Sequence, residues 1–323
     1  MRSFRTAVVL CALSTCGGVQ AAHPPNSYPT KPVRVLVPFV AGGGTDLVAR
    51  AIAQGLSDRS GQSFVVDNRP GAGGRIALET TAQAAADGYT LTMISGTTTA
   101  SSNLYKNLPY DFGRDFVAIT QVTEQPYVVL VPNAYSVRSI PELIALSKRK
   151  PDSVNYGSSG AGGMQHLSAT LLSQKAGISM VHIPYKGGGQ VIGDLISGQI
   201  QLAFLNPLGA RPHMNSGRVR GIAVTTRKRA QAFPDLPAIA ETVPGFHVSN
   251  WYGLIAPVKL PSAISAYLHR QTLSVIADPE VRDRLEKEGS ELVGSTPKEF
   301  SAHILQEVKM WGKVIREAGL TAN

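Results

Sequence analysis

The feature that most constrains the fold is a repeated order along the chain: a β-branched segment, a glycine-rich turn, then a helix-like segment. VRVLVPF at 33–39 is followed by AGGGTD, and then by Val48, Ile52 and Leu56 at four-residue steps. Short β-branched runs are typical of buried parallel strands, and apolar residues at four-residue steps predict a helix. SFVVDNRP, an alanine-rich segment and YTLTMIS continue the order. This βαβαβ order favours a parallel sheet with helices on both faces.

A second alternating series occupies the middle of the chain, and two helices, at 262–277 and 297–319, end it. Two long strand-like connections, at about 123–132 and 249–257, separate the series. With 323 residues the chain is long enough for two cores. We therefore predict an α/β protein with two lobes, a hinge and a cleft. Lobe 1 is expected at 28–124 plus 250–323, and lobe 2 at 125–249.

The first 22 residues differ from the rest of the chain. Arg2 and Arg5 precede an apolar run at 7–13, and small residues lead to VQAA at 19–22. This order is typical of a secretory signal peptide, and the run is shorter than the roughly 20 residues that span a membrane. We expect the chain to be exported from the cytoplasm. Lipid attachment at Cys16 is the alternative, although Thr15 fits that pattern poorly.

Both cysteines of the chain, Cys11 and Cys16, lie in this segment. The exported chain would therefore have no disulfide, cysteine metal site or thiol nucleophile. Removing Arg2 and Arg5 reduces the formal charge from +9 to +7. The basic clusters KRK and RKR lack the interleaved aromatic residues of single-strand binders, so we expect no nucleic-acid partner. A positive field would suit anionic small molecules.

Four glycine clusters each follow a strand-like segment and precede a helix-like one: AGGGTD, GAGG, GSSGAGG and YKGGG. None matches the P-loop or the dinucleotide-binding glycine pattern. Ligands of open parallel sheets bind beyond the carboxyl ends of the strands, where free N–H groups of helix starts favour anions. For any one cluster, a simple connecting turn is the alternative. Four such clusters in one chain favour a shared ligand cleft.

Catalytic and metal-binding patterns are weak. The histidines form no H-x-x-x-H or H-x-H pair, so we predict no metal site and no cofactor. Ser159 and His166 could serve an exported serine hydrolase, but GSSG places its second glycine one residue too early for a nucleophile elbow. We expect His166 to be a polar helix-start residue and Asp46 to cap or hold the first glycine turn. The expectation is a protein that is not an enzyme.

Seven segments, in order, resemble the receptors of tripartite tricarboxylate transporters, the TctC family, also called Bug-type receptors. They are YPTKPVRVLVPFVAGGGTDLVARAIA, VVDNRPGAGG, ADGYTL, LPYDFGRDF, GSSGAGGMQHLSA, HIPYKGGGQVIGDLISGQIQLAF and FHVSNWYGLIAP. The resemblance covers about 28–320. It implies a type II periplasmic binding protein fold, with two α/β lobes joined by two crossover strands. It further implies a monomeric receptor that closes on a small carboxylate and delivers it to membrane permease subunits, or presents it to a membrane signalling partner.

In this family, backbone amides of two facing loops hold most of the ligand carboxylate. Carried onto this chain, the resemblance implies a first glycine loop at 39–46 and a second glycine loop at 158–166. The implied ligand contacts are Phe39, Ala41, Gly42, Gly43, Asp46, Thr97, Thr98, Ser158, Ser159, Gly160, Gly162, His166, Tyr185, Gly187, Asn206 and Trp251.

Overall fold

The computed structural model describes residues 28–105 and 107–321, so the expected signal peptide lies outside the described residues. The strands in the described chain are β1 (Val33–Val37), β2 (Phe64–Asn68), β3 (Thr90–Ser95), β4 (Phe116–Gln125), β5 (Val128–Pro132), β6 (Asn155–Ser158), β7 (Val181–Pro184), β8 (Leu202–Leu205), β9 (Val219–Val224), β10 (Asn250–Pro257) and β11 (Glu291–Leu292). The α-helices are α1 (Gly44–Ser60), α2 (Arg75–Gln83), α3 (Gly96–Ser102), α4 (Ile140–Arg149), α5 (Met164–Ala176), α6 (Gly188–Ser197), α7 (Pro207–Asn215), α8 (Ser262–Ile276), α9 (Pro279–Lys287) and α10 (Pro297–Glu317).

The strands form two sheets, with the orders β11-β4-β10-β3-β1-β2 and β7-β6-β8-β5-β9. The two-lobe α/β prediction is confirmed, but both sheets are mixed rather than parallel. β10 runs antiparallel to β3 and β4, and β5 runs antiparallel to β8 and β9. The reason is the connectivity, since β5 and β10 are the strands by which the chain enters one sheet from the other. The chain crosses between Gln125 and Val128 and returns between Val224 and Asn250.

Helix α1 shows how the sequence pattern produces this packing. Val48, Ile52 and Leu56 lie on one face and are almost fully buried beside the strands of the first sheet. Burying a side chain of this size stabilises the fold by about 1.5–3 kcal/mol. Gly55 faces Val275 of α8 at a distance that leaves little room for a larger residue, so the two helices pack closely.

Helix α10 packs on both halves of the molecule. Phe300 and Ile304 in its first half belong to a cluster with strand β10 of the first sheet, whereas Trp311 and Val314 pack with residues of the second sheet. Between these groups, the Glu307 carboxylate accepts hydrogen bonds from the indole N–H groups of Trp311 and of a tryptophan in β10. Burial raises the pKa of Glu307, and the two indole donors offset only part of that shift. The helix therefore connects the two halves beside the crossovers.

Among residues 28–105 and 107–321, no helix combines the length and the apolar character that crossing a membrane requires.

Candidate functional site

The second glycine loop connects β6 to α5 and is held from beneath by a histidine. Gly160 and Gly162 have φ values of 139° and 75°, which other residues rarely adopt, so glycine is required for this path. The Gly162 N–H donates to Nδ1 of His166, the third residue of α5, at 3.0 Å. His166 is 7% exposed. It therefore fastens the loop from inside the protein.

A second histidine supports the first. The His166 and His182 rings stack with centroids 3.8 Å apart, and His182 Nε2 lies 2.7 Å from Ser158 Oγ at the start of the loop. Burial, followed by the neighbouring His182, lowers the pKa of His166 to about 4, and burial also lowers the pKa of His182. Both rings are consequently neutral at pH 7. The loop rests on a neutral imidazole pair.

A cavity of about 480 Å³, hereafter the cleft cavity, is lined in part by this loop, at Ser159 and Gly163. Most of its lining comes from the carboxyl ends of strands in the second sheet and from the helices that follow them. Thr97 is contributed by α3, beyond the first sheet. The lining residues are Thr97, Tyr127, Ser159, Gly163, Met164, Gln165, Gly188, Gly189, Ile192, Leu205, Asn206, Gly209 and His213.

Three helices, α5, α6 and α7, begin at this cavity, and two of them offer amide donors there. The first-turn N–H groups of a helix have no intrahelical acceptor, which leaves those of α5 and α6 available to a ligand. In α7 the Asn206 side chain already accepts a hydrogen bond from the Gly209 N–H, and Pro207 has no backbone N–H to donate. Within the described chain, the lining includes no lysine, arginine, aspartate or glutamate. The cavity can therefore hold an anion through backbone amides and helix dipoles.

The first glycine loop is built similarly but with a charged support. Asp46, the third residue of α1, accepts from the Gly42 N–H at 2.9 Å, from Arg50 Nε at 2.9 Å and from Asn68 Nδ2 at 2.9 Å. Its side chain is 2% exposed. Burial acts to raise its pKa, but these hydrogen bonds outweigh burial and hold the pKa of Asp46 below its usual value. Asp46 is a first-turn residue that holds the loop, whereas the cap position itself is Gly43.

The structure brings some of the residues implied by the resemblance to the cleft cavity and not others. Thr97, Ser159 and Asn206 line it. A second group supports the lining without forming it: Ser158, Gly160, Gly162, His166 and Gly187, which is the cap residue of α6. Thr98 is buried and closes the capping box of α3, and the Tyr185 hydroxyl donates to Asp194 at 2.7 Å.

Six of the residues implied by the resemblance lie away from this cavity. Trp251 does not lie at the cavity: it is fully buried, because β10 is an inner strand of its sheet, and its ring packs against Phe300 and His303. The first glycine loop, with Phe39, Ala41, Gly42, Gly43 and Asp46, contributes no residue to the cavity lining. The loop belongs to the half of the molecule with the first sheet, whereas almost all of the cavity lining comes from the half with the second sheet.

Several lining residues were not predicted: Tyr127, Gly189, Ile192, Leu205, Gly209 and His213. For Gly189 a signal was present, because it belongs to the glycine cluster YKGGG. For Tyr127 the signal was its place in the first crossover.

Among the described residues that line the cleft cavity, no serine hydroxyl is hydrogen-bonded to a histidine. The Ser159 N–H donates to Gln165 Oε1, and Nδ1 of His166 is occupied by Gly162. Ser158 does contact His182, but it is completely buried. No group of three or more His, Cys, Asp or Glu side chains in the described ranges is placed to hold a metal ion.

A family model described as "Tripartite tricarboxylate transporter family receptor" matches residues 48–320. The chain belongs to this family. The receptor is also 32% identical over 322 residues to protein BugT of Bordetella pertussis, a match that covers 99% of each chain. The resemblance found in the sequence is thereby confirmed.

Two solved structures resemble the receptor closely. Rpa4515 of R. palustris with adipate has a TM-score of 0.76 and 34% identity, covering 91% of the receptor and 99% of that chain. MatC (Rpa3494) from Rhodopseudomonas palustris with bound malate has a TM-score of 0.74 and 29% identity, covering 89% and 100%. The receptor has the type II periplasmic binding protein fold and is a solute-binding protein of this family rather than an enzyme.

Proposed function

We propose that the receptor captures a small organic carboxylate in the cleft cavity and delivers it to the permease subunits of a tripartite tricarboxylate transporter. The observation that carries this proposal is the convergence of the first turns of α5 and α6 on one cavity. Their amides and dipoles favour a negative charge. The described lining contributes no aspartate or glutamate that would oppose it.

The contrast between the two glycine loops supports the choice of the second one. At the start of α1, the ionised Asp46 already supplies a negative charge to the amide of Gly42. At the start of α5, the equivalent support is His166, which is neutral. The N-terminus of α5, which follows the second loop, therefore still favours the binding of an anionic ligand.

The remaining lining supports an aliphatic dicarboxylate. Ile192 and Leu205 offer apolar surface for a methylene chain, whereas Thr97, Ser159 and Asn206 offer polar groups for a second carboxylate or a hydroxyl. Ligand cavities commonly combine an apolar wall with a few such polar groups. Similar receptors hold adipate and malate, which belong to this class.

We further propose that lobe 1 comprises 28–124 plus 250–323 and lobe 2 comprises 125–249, with the crossovers as the hinge. On closure, the first glycine loop would cover the ligand from lobe 1, and its exposed residues would make secondary contacts. Residues 1–22 would direct export to the periplasm, where the receptor would act as a monomer.

Isothermal titration calorimetry with adipate, malate and adipamide tests the proposal. Adipamide has the length of adipate without its charges. We expect both acids to bind and to raise the melting temperature, since binding at 100 times Kd adds about 2.7 kcal/mol to the free energy of unfolding. Adipamide should not bind measurably. Equal binding of adipate and adipamide, or no binding by a wider panel of mono- and dicarboxylates, would contradict the proposal.

Delivery to a permease requires a separate test. Cells that contain the permease should take up the labelled acid only with the receptor present, and deletion of the receptor should abolish uptake. Uptake that is unchanged by the deletion would separate this receptor from transport and favour the signalling role.

A further inference from the structure

A second cavity, of about 490 Å³, lies where the two crossovers pass between the sheets. It is hereafter the hinge cavity. Glu124 comes from the end of β4 before the first crossover, and Arg227, Lys228 and His247 come from the segment that forms the second. Among the described residues, none lines both the hinge cavity and the cleft cavity. The hinge cavity is a separate space in the molecule, and the proposed carboxylate site does not account for it.

Two carboxylates face each other on one side of this cavity. Glu124 in β4 and Glu291 in β11 are directly paired in the antiparallel register. Like charges directly opposite each other on neighbouring strands destabilise a sheet. Burial, followed by the proximity of Glu291, raises the pKa of Glu124. The pair is therefore a feature that the fold alone does not explain.

Two cations in the same lining lack a direct acidic partner. In the described part of the chain, no ion pair includes Arg227, Lys228, Glu124 or Glu291. The adjacent Arg229 is different, because its guanidinium donates to both Glu241 oxygens at 3.0 and 3.1 Å. Among the described residues, acidic and basic side chains thus line one cavity without forming an ion pair with each other, although Glu291 Oε1 accepts a hydrogen bond from the Gln231 N–H at 2.9 Å.

Neutral polar groups complete the lining. Nε2 of His303 is buried and has no hydrogen-bond partner among the described residues, which is unusual for a buried polar atom. Burial, followed by the nearby Arg227, lowers the pKa values of His247 and His303 to about 4, so each ring is neutral at pH 7. Each ring can donate one hydrogen bond and accept another.

We propose that the hinge cavity binds a small zwitterion of the amino-acid type. Its ammonium group would lie between Glu124 and Glu291, where it removes the repulsion between the two carboxylates. Its carboxylate would face Arg227 and Lys228, and His303 Nε2 would gain a hydrogen-bond partner. A ligand with one charge would satisfy only one side of the cavity. The carboxylates adjoin the first crossover and the basic residues lie on the second, so the zwitterion would also connect the two hinge segments.

This position predicts coupling to the cleft. This coupling rests on the proposed function: if the lobes close about the crossovers, the crossovers move relative to each other, and a ligand that bridges them binds the open and closed forms with different affinities. By thermodynamic linkage, the zwitterion must then change the affinity for the cleft ligand by the same factor by which the cleft ligand changes the affinity for the zwitterion.

Calorimetry with 4-aminobutyrate tests the proposal, with butyrate and butylammonium as matched ligands that each lack one charge. We expect 4-aminobutyrate to bind at least about tenfold more tightly than either, because each control loses one set of charge-assisted hydrogen bonds. Arg227→Gln and Glu291→Gln should each weaken its binding about tenfold or more. Lys309→Gln, an exposed cation in neither lining, should leave it unchanged.

Two further measurements keep the result interpretable. Glu291→Gln removes a like-charge pair, so it should raise the melting temperature while it weakens binding, and loss of binding cannot then be attributed to unfolding. His166→Asp, which places a carboxylate at the start of α5, should leave 4-aminobutyrate binding intact. No binding of 4-aminobutyrate, butyrate binding that is equally tight in His166→Asp, where binding to the cleft is weakened, or loss of 4-aminobutyrate binding in His166→Asp with retention in Arg227→Gln would overturn the proposal. The last outcome would assign the zwitterion to the cleft.

Discussion

The two glycine loops have the same local construction, but the residue that holds the first loop is charged and the residue that holds the second is neutral. In each, the third residue of the following helix accepts from a glycine N–H four positions earlier: Asp46 from Gly42, and His166 from Gly162. Both glycines have left-handed backbones, with φ values of 84° and 75°. The first acceptor is an ionised carboxylate that also binds Arg50, and the second is a neutral imidazole.

This difference decides which helix start can serve a ligand. A helix N-terminus carries a partial positive charge, and a carboxylate in the first turn offsets much of it. Asp46 does this for α1, whereas His166 fastens its loop without supplying a charge. The first helix start already has a negative charge from the protein. The second has none, so a bound anion can supply it. Each prediction below changes one member of this comparison and leaves the other intact.

The largest effect is expected from making the second loop electrostatically like the first. His166→Asp would place a carboxylate in the first turn of α5, and two like charges about 6 Å apart repel each other by roughly 3 kcal/mol at an effective dielectric constant of 20. Affinity for adipate should fall about 100-fold by calorimetry. His166→Asn, which keeps an acceptor and adds no charge, is the matched control and should change affinity less than about threefold. Similar losses in both variants would show that His166 acts by shape alone.

The next effect concerns the glycines themselves. Gly162→Ala adds left-handed strain of about 1–2 kcal/mol. Its new Cβ would also lie 2.7 Å from Leu104 Cδ1. We expect a loss of about 2 kcal/mol in unfolding free energy and about a tenfold loss of affinity. Gly42→Ala has no atom within 4 Å of its Cβ, so strain alone should lower its stability, by about 1 kcal/mol, with little change in affinity. Equal affinity losses would place the ligand on both loops.

The two supports should also differ in their response to pH. The pKa of His166 is about 4 in the folded protein, against an ordinary value of 6.5. Below pH 6.5 the unfolded chain therefore binds a proton that the folded loop does not, and stability falls as the pH decreases toward 4. His166 should contribute up to about 1.4 kcal/mol per pH unit within this window. Urea unfolding of the wild type and of His166→Asn should show this difference in slope.

The first loop should be insensitive over the same range. The pKa of Asp46 is lowered, so its contribution is present above its ordinary value of 3.8 and is lost only at lower pH. Asp46→Asn should therefore retain the wild-type slope between pH 6.5 and 4. If Asp46→Asn rather than His166→Asn removes the slope, the assignment of the two supports is wrong.

The smallest effect on binding is expected from the first loop. Asp46→Asn removes the ion pair with Arg50, whose side chain is 48% exposed and therefore screened by solvent, and weakens the hydrogen bond from the Gly42 N–H. We expect a loss of about 1 kcal/mol in unfolding free energy and less than a threefold change in adipate affinity. A tenfold loss of affinity without a larger loss of stability would show that the first loop holds the ligand directly.

The sequence predicted the parts of the fold that repeat a local pattern. The helical face of Val48, Ile52 and Leu56 and the glycine turns before α1 and α5 were visible because each depends on neighbouring residues. Helix α3, GTTTASS, was missed because it has no apolar periodicity and begins at a capping box. Helix α9 was missed because it is short and mostly charged. The antiparallel direction of β5 and β10 could not be predicted, because the residue pattern of a strand does not show whether it runs parallel or antiparallel to its neighbours.

The candidate site was only partly predictable for a related reason. The glycine clusters at α5 and α6 could be assigned to a cleft one by one. Their meeting with Tyr127, Ile192 and His213 depends on strand order in the second sheet, which no local pattern reports. The burial of Trp251 could not be read from its neighbours, because it depends on the place of β10 inside the sheet.

A crystal structure of the receptor with adipate tests the central claim most directly. We expect carboxylate oxygens within about 3.2 Å of first-turn N–H groups of α5 and α6, at Met164, Gln165, Gly188 or Gly189. No lysine or arginine should contact the ligand. A carboxylate held by the amides of 39–43 alone, or paired with a basic side chain, would show that the second glycine loop is not the anion site.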